Sequence, residues 1–296
     1  MDNPLILNLV TITIFTLMLA IGVNLSFEKL LSLCRRPFLL LRALLAVVVL
    51  VPLVVIVLLR LFDLPSGVAT GLALLAAAPG APLTTKRSQM AGGKFPHSAS
   101  LQLTLALLAV IITPITLAIF YALFDLETQR VLVSVSQVFQ QVVRVQFFPI
   151  ILGLLIQKFS PKITSVIGKP LIVIGNILFL LLLILLSVPG FRLIRQIGIL
   201  PLVVIVIMVV ISLAIGHLLG GSEVDKRSAL AIACIARNIG LAMYIAVFSN
   251  AQEQVLPTLV SYIILGSLIA IPYSTWSKRQ VVRVKPAQSI GEKLVD

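Results

Sequence analysis

The sequence predicts an all-α, polytopic membrane protein of about nine transmembrane helices. Three observations carry that prediction. The apolar fraction is 59% against a charged fraction of 11%, and the mean hydropathy is +1.16. A soluble chain of this length needs far more charge to cover its surface. Apolar stretches recur at the length of about 20 residues that a helix needs to cross the hydrocarbon core. The charges collect between these stretches and do not form one soluble face, which is a topology signal.

The first stretch, 5–24, lacks a basic leader and a small-residue cleavage site, so it reads as a retained span. The second, 38–62, follows Arg35-Arg36-Pro37 and runs out at Asp63-Leu64-Pro65. The third, 66–90, is interrupted. The fourth, 97–124, carries Thr113-Pro114, and the fifth and sixth are placed at 132–157 and 170–188. The seventh is 198–219, the eighth, 228–248, is again interrupted, and the ninth, 256–277, carries Ile271-Pro272. Short connections make neighbouring spans antiparallel. Residues 1–277 therefore form a single transmembrane domain, with halves of about 1–124 and 132–277. The remainder, 278–296, is a polar tail expected to be mobile.

Lys and Arg set the orientation. Lys29, Arg35 and Arg36, then Lys86, Arg87 and Lys94, then Lys158, Lys162 and Lys169, then Lys226 and Arg227 occupy alternate connections. With the five basic residues of the tail, they place sixteen of the 23 on one side. Arg60, Arg130, Arg192 and Arg195 are on the other. The C-terminus is expected in the cytoplasm and the N-terminus outside, most simply in the plasma (inner) membrane. The formal charge of +13 thus reports topology, and no nucleic-acid partner is expected.

All ten acidic residues lie in connections or tails. A Ser/His/Asp triad, a paired-carboxylate hydrolase and a carboxylate metal site therefore have no acid at membrane depth. No Gly-rich phosphate loop follows a strand, and the chain has no room for a nucleotide-hydrolysing domain. No enzyme and no cofactor are expected. Cys34 and Cys234 have no metal-ligand spacing and read as small apolar fillers.

Polarity enters the membrane at two places. In the third span Pro79 and Pro82 each remove a backbone donor around Gly80, so the helix should break there, immediately before Thr84 and Thr85. In the eighth, Arg237 and Asn238 sit near the middle, where an Arg costs about 3 kcal/mol or more unless it faces protein or water. One interrupted span in each half is what an inverted-repeat secondary transporter presents at its binding site. Arg237 reads either as a structural donor to carbonyls freed at the breaks or as a tethered cation or anion ligand. Thr84 and Thr85 read as helix–helix partners or as site residues. Lys86 and Arg87 read as the positive-inside end of the span or as an anion-attracting vestibule. His97 reads as a helix-start residue or a proton-sensitive group, and His217 as an interfacial contact.

At these residues the sequence resembles the bile acid:sodium symporter family, as a divergent prokaryotic-type member. The likeness runs through MLAIGVNLSFEKL in the first span, Arg35-Arg36-Pro37, Asp63-Leu64-Pro65, the Pro79-Gly80 break and Thr113-Pro114. It continues through FFPIILGLLI at 147–156 to ARNIGLA at 236–242. The resemblance implies a core and a panel domain, with two broken helices crossing in the core and a site facing the cleft between them. It also implies a nine-span form without the first of the ten spans common in prokaryotic members, its N-terminus outside. Symport of a solute with sodium is the family's activity.

The sequence departs from the family at the ligands themselves. Ala233 and Arg237 stand where the family has a Glu and a Gln that help coordinate sodium, while Asn238 is retained. Thr84-Thr85 replaces a Ser-Asn pair, Ser98 matches a sodium-binding Ser, Gln102 replaces a Thr, and Val47 replaces a Gln. One sodium site has therefore lost its carboxylate. A weak one could still be built from the neutral oxygens of Thr84, Thr85, Ser98 and Asn238. The expected function is secondary transport of a small organic anion, possible without sodium, with substrate-binding candidates Thr84, Thr85, Ser98, Gln102, Arg237 and Asn238. The alternative is a non-transporting sensor or regulatory subunit on the same scaffold. A continuous cleft beside the breaks favours transport, and a sealed apolar interior favours the sensor. The partners implied are the solute and the lipid bilayer; the oligomeric state is left open.

Overall fold

The computed structural model describes residues 4–24, 28, 35–124, 134–249 and 251–292. Within them the regular structure is helical, with no strand among the described residues. The order is α1 (Pro4–Asn24), α2 (Pro37–Leu61), α3 (Ser66–Ala77), α4 (Thr84–Met90), α5 (Phe95–Phe124) and α6 (Val135–Phe159). It continues with α7 (Pro161–Ile197), α8 (Ile199–Leu219), α9 (Val224–Ile235), α10 (Ile239–Phe248) and α11 (Gln252–Glu292). Eight stretches among the described residues are long and apolar enough to cross a membrane, the α9–α10 stretch counting as one. The third expected span is the α3–α4 pair, whose 12 and 7 residues are each too short to cross alone.

Two of the long helices loosen locally to a π register just before a proline. In α2 the π segment is Leu45–Leu50, ahead of Pro52; in α6 it is Val143–Phe147, ahead of Pro149. The shift lets the amide of Val51 reach back to the Ala46 carbonyl, and that of Phe148 to the Val143 carbonyl. Proline has no amide to continue the ladder, so each shift leaves a freed carbonyl behind it.

α1 packs against α6 and α7, α8 against α9, and α11 against α3. The α1–α6 contact is backbone on backbone. A Cβ on Gly153 would lie 2.7 Å from both the Leu19 carbonyl oxygen and the Val23 amide, and one on Gly22 would strike the Ile150 carbonyl. Small residues allow this approach where lipid supplies no hydrophobic drive between helices. α3, α9 and α10 form the buried centre, whereas α7 turns many of its Ile and Leu side chains outward.

Two boundaries differ from the sequence-based ones. The sixth span, expected at 170–188, is one 37-residue helix that starts at Pro161 and passes through Pro170 and Pro189. Pro161 sits in the first turn, where its missing amide costs nothing. Internal prolines persist in membrane helices because neighbouring groups re-satisfy the backbone. At 1.5 Å per residue α7 is roughly 55 Å long, well beyond the ~30 Å core. Arg192 and Arg195 thus lie in a helix, and Ser160 alone separates α6 from α7. The expected polar tail is likewise a continuation of α11 as far as Glu292. Cys34 and Arg130 lie outside the described residues.

Candidate functional site

The third span stops at Ala77 because its next turn contains two residues that cannot donate. In a continued helix Pro79 would have served the Leu75 carbonyl and Pro82 the Ala78 carbonyl. Gly80 completes the break with φ at +77°, and a Cβ there would lie 2.7 Å from the Ala106 amide of α5. Only glycine combines that backbone conformation with that approach.

The freed carbonyls are taken by the second break. Arg237 Nε donates to the Leu75 carbonyl at 2.8 Å, and one of its Nη2 hydrogens donates to the Ala76 carbonyl. Nη1 donates across 3.2 Å to Val47, the carbonyl that Pro52 leaves without a partner in the π segment of α2. The Asn238 amide donates to the Ala78 carbonyl at 2.8 Å. One Arg-Asn dipeptide therefore answers four carbonyls, three released by prolines and the fourth, Ala76, by the turn at Gly80. The guanidinium, only 2% exposed, also sits at the negative end of the α3 dipole, where a cation is favoured.

Asn238 holds the second break as well. Its Oδ1 caps α10 by accepting from the Leu241 amide at 3.1 Å, and its Nδ2 donates to Gln146 Oε1 at 3.0 Å. Gln146, in the π segment of α6, donates in turn to the Ala106 carbonyl at 2.6 Å. The end of α9 is secured by the Tyr262 hydroxyl, which donates to the Ile235 carbonyl at 2.8 Å.

A second polar cluster fixes the start of α4, which has no side-chain cap of its own. Gln102 of α5 supplies one. Its Oε1 accepts from the Thr85 amide at 2.7 Å and from the Thr85 hydroxyl at 2.5 Å, and its Nε2 donates to the Pro82 carbonyl at 2.7 Å. Thr84 turns its hydroxyl back to the Ala81 carbonyl at 2.8 Å. Ser98 bonds to Ser88 at 2.6 Å and to the Lys94 carbonyl at 3.0 Å.

The six candidate residues thus divide. Arg237 and Asn238 join the two breaks, Gln102 and Thr85 brace one of them, Thr84 bonds within its own turn, and Ser98 pairs with α4. His97 lies in the first turn of α5, and His217 contacts Tyr273 and packs beside Trp276. Gln146 and Tyr262 are not among the residues that the sequence alone points to, and Val47 is singled out there only for its side chain, not for its carbonyl. A polar amide at Gln146 in an apolar run, and Pro52 after Leu-Ala-Val-Val-Val-Leu, were the available signals.

Beside the crossing lies a cavity of about 210 Å³, lined by Pro82, Leu83, Arg87, Arg237, Asn238 and Tyr262 among others. A larger one, about 820 Å³, shares Arg87 and Ser267 with it and is edged by Lys278 and Arg279. Among the described residues no carboxylate lines either cavity. Lys86 is exposed and lines neither. Among the described residues there is no His/Cys/Asp/Glu cluster that could hold a metal, and Cys234 is buried and free.

Comparison with known proteins agrees with this architecture. The family model described as the Sodium Bile acid symporter family matches residues 11–197, well over half of the chain. A protein of Bacillus subtilis (strain 168) named "Uncharacterized sodium-dependent transporter YocS" is 26% identical over 298 residues. That alignment takes in 96% of this chain and 87% of the Bacillus protein.

Proposed function

The chain belongs to the sodium bile acid symporter family, and from that premise we propose that it is a secondary transporter of a small organic anion in which the Arg237 guanidinium replaces a bound sodium ion. The observation that carries the reading is the triple donation of Arg237 to Leu75, Ala76 and Val47. Carbonyl oxygens freed at a helix break are what a sodium ion would coordinate. Here they face a permanent cation on a side chain.

The remaining oxygens do not suit sodium either. The Thr84 and Thr85 hydroxyls donate to Ala81 and Gln102 and Ser98 pairs with Ser88, which fixes their direction and leaves only neutral lone pairs, and Asn238 Oδ1 already accepts from the cap of α10. Ala233, buried on α9, offers no carboxylate to balance an ion. A hard cation needs several free oxygens and negative surroundings. The Bacillus protein is named for sodium dependence; sodium independence is the point at which we place this chain apart from that name.

Anion selectivity rests on the adjoining cavities. Arg87 lines both, Lys278 and Arg279 stand at the wider one, and no acid among the described residues lines either. Cations in a partly dry cleft without counter-charge attract anions from the adjacent water. The solute enters from this basic end, which we read as the cytoplasmic one. Arg237 acts by its field and by holding the crossing, since its donors are directed at carbonyls. An opening that adjoins the crossing favours transport over a sealed sensor.

The test is uptake into proteoliposomes with a panel of small organic anions, at fixed ionic strength, with sodium, potassium or choline outside. Saturable uptake indifferent to the cation supports the reading. A steep requirement for sodium would refute the replacement of the ion by Arg237, and no uptake of any anion would refute transport.

A further inference from the structure

A separate cavity, of about 630 Å³, opens where three helices begin. Arg35 and Arg36 line it from the start of α2, Lys94 and His97 from the start of α5, and Glu223, Asp225 and Lys226 from the start of α9. Its two acids are already matched. Lys94 Nζ lies 3.1 Å from Asp225 Oδ2, and Lys226 pairs with Glu223. Among the described residues neither Arg35 nor Arg36 has a carboxylate partner, so two guanidinium charges face the cavity uncompensated. The first turns of α2 and α5 carry no acidic residue, so no carboxylate there offsets the positive ends of these helices.

The apolar surroundings narrow the ligand. Phe38 and Leu41, one turn beyond the arginines on α2, are 80% and 64% exposed. Leu218, at the end of α8, is 79% exposed, and α8 packs against the same part of α2. A basic recess whose arginines are followed along α2 by exposed apolar side chains suits a molecule with an anionic head and hydrocarbon tails.

We propose that this recess binds the phosphate of an acidic phospholipid, its oxyanion between Arg35, Arg36 and the start of α5 and its acyl chains along Phe38 and Leu41. The recess joins the outer ends of α5 and α9, the helices that carry Gln102 and lead into the Ala236–Asn238 break. An oxyanion held there therefore braces α2 against α5, beside the start of α9, at the membrane surface. The inference does not depend on the role given to Arg237.

The experiment uses the purified full-length protein in a neutral detergent, with thermal unfolding and native mass spectrometry as readouts. Short-chain phosphatidic acid should bind and raise the melting temperature, and short-chain phosphatidylcholine should do neither. Replacing both arginines (Arg35→Gln with Arg36→Gln) should weaken phosphatidic acid binding about thirtyfold, from the usual contribution of each juxtamembrane arginine. If inorganic phosphate alone stabilises as well as the lipid, the oxyanion site stands with free phosphate as its source. Equal binding of both lipids, or unchanged binding by the double variant, would overturn the proposal. Should that variant fail to fold, salt titration of the native protein decides: binding that does not weaken as ionic strength rises severalfold also overturns it.

Discussion

The backbone amide of Asn238 donates to the carbonyl of Ala78 across 2.8 Å, joining the break in the eighth span to the break in the third. Each interruption would be costly alone, because unpaired backbone groups at membrane depth have no water to turn to. Placed against one another, they exchange partners.

Arg237 is accordingly expected to carry stability as well as charge. Arg237→Leu leaves the Ala76 and Val47 carbonyls without their donor and the Leu75 carbonyl with only the Ala78 amide at 3.3 Å, and should cost about 3–5 kcal/mol. Arg237→Gln retains an amide that can serve one or two of them and should cost less. Thermal unfolding of the purified variants checks the order. A Leu variant as stable as the native protein would show that these bonds contribute nothing.

Sodium dependence should be recoverable by exchanging two side chains. Ala233→Glu combined with Arg237→Gln removes the fixed charge and returns a carboxylate and an amide to the family's positions. At about 4 Å, a guanidinium and a sodium ion would repel by roughly 4 kcal/mol at an effective dielectric of 20, enough to suppress binding by orders of magnitude. Uptake by the native protein should change less than about twofold when potassium replaces sodium, whereas uptake by the double variant should rise with sodium.

Gly80 should tolerate no side chain. Its φ of +77°, and the 2.7 Å that would separate an added methyl from the Ala106 amide, penalise Gly80→Ala twice, by backbone strain and by collision. A loss of about 2–4 kcal/mol is expected, with reduced yield of folded protein. Unchanged thermal stability would mean that α5 can move away.

Gln102 is expected to be a positioning residue for α4. Gln102→Leu keeps the volume but leaves the Thr85 amide and the Pro82 carbonyl without partners, at about 2–4 kcal/mol. Gln102→Glu keeps the acceptor for Thr85 and loses only the donor to Pro82, so it should fall between the Leu variant and the native protein in thermal stability. Equal losses would place the energy in something other than these bonds.

Arg87 should govern anion entry. Arg87→Gln is expected to raise the KM for an anionic solute by about tenfold with a smaller effect on a neutral isostere, since one cation is removed from a cleft without acids. Flux measured against solute concentration separates this from a folding defect, which would lower the maximal rate for both solutes alike.

The first break was legible because proline and glycine act locally: a missing amide or a positive φ interrupts a helix whatever surrounds it. Arg237 was legible because charge in an apolar stretch is rare and expensive. The length of α7 was not, since Pro170 and Pro189 are local stop signals that the surrounding helices override. Gln146 and the Val47 carbonyl were missed for a different reason. Gln146 meets Asn238 across 92 residues of sequence and Val47 meets Arg237 across 190, and no local pattern records such pairings.

Composition, hydropathy and the distribution of Lys and Arg by themselves determined a membrane-embedded helical chain, its approximate spans, their expected orientation and the places where two of them must break. Those properties follow from the transfer of each stretch between water and lipid, a sum over neighbouring residues. Tertiary structure alone decided that the guanidinium of Arg237 would spend its donors on Leu75, Ala76 and Val47, and that Gln102 would cap α4. A freed carbonyl in lipid takes whichever donor packing brings within reach, and that depends on helices distant in the chain.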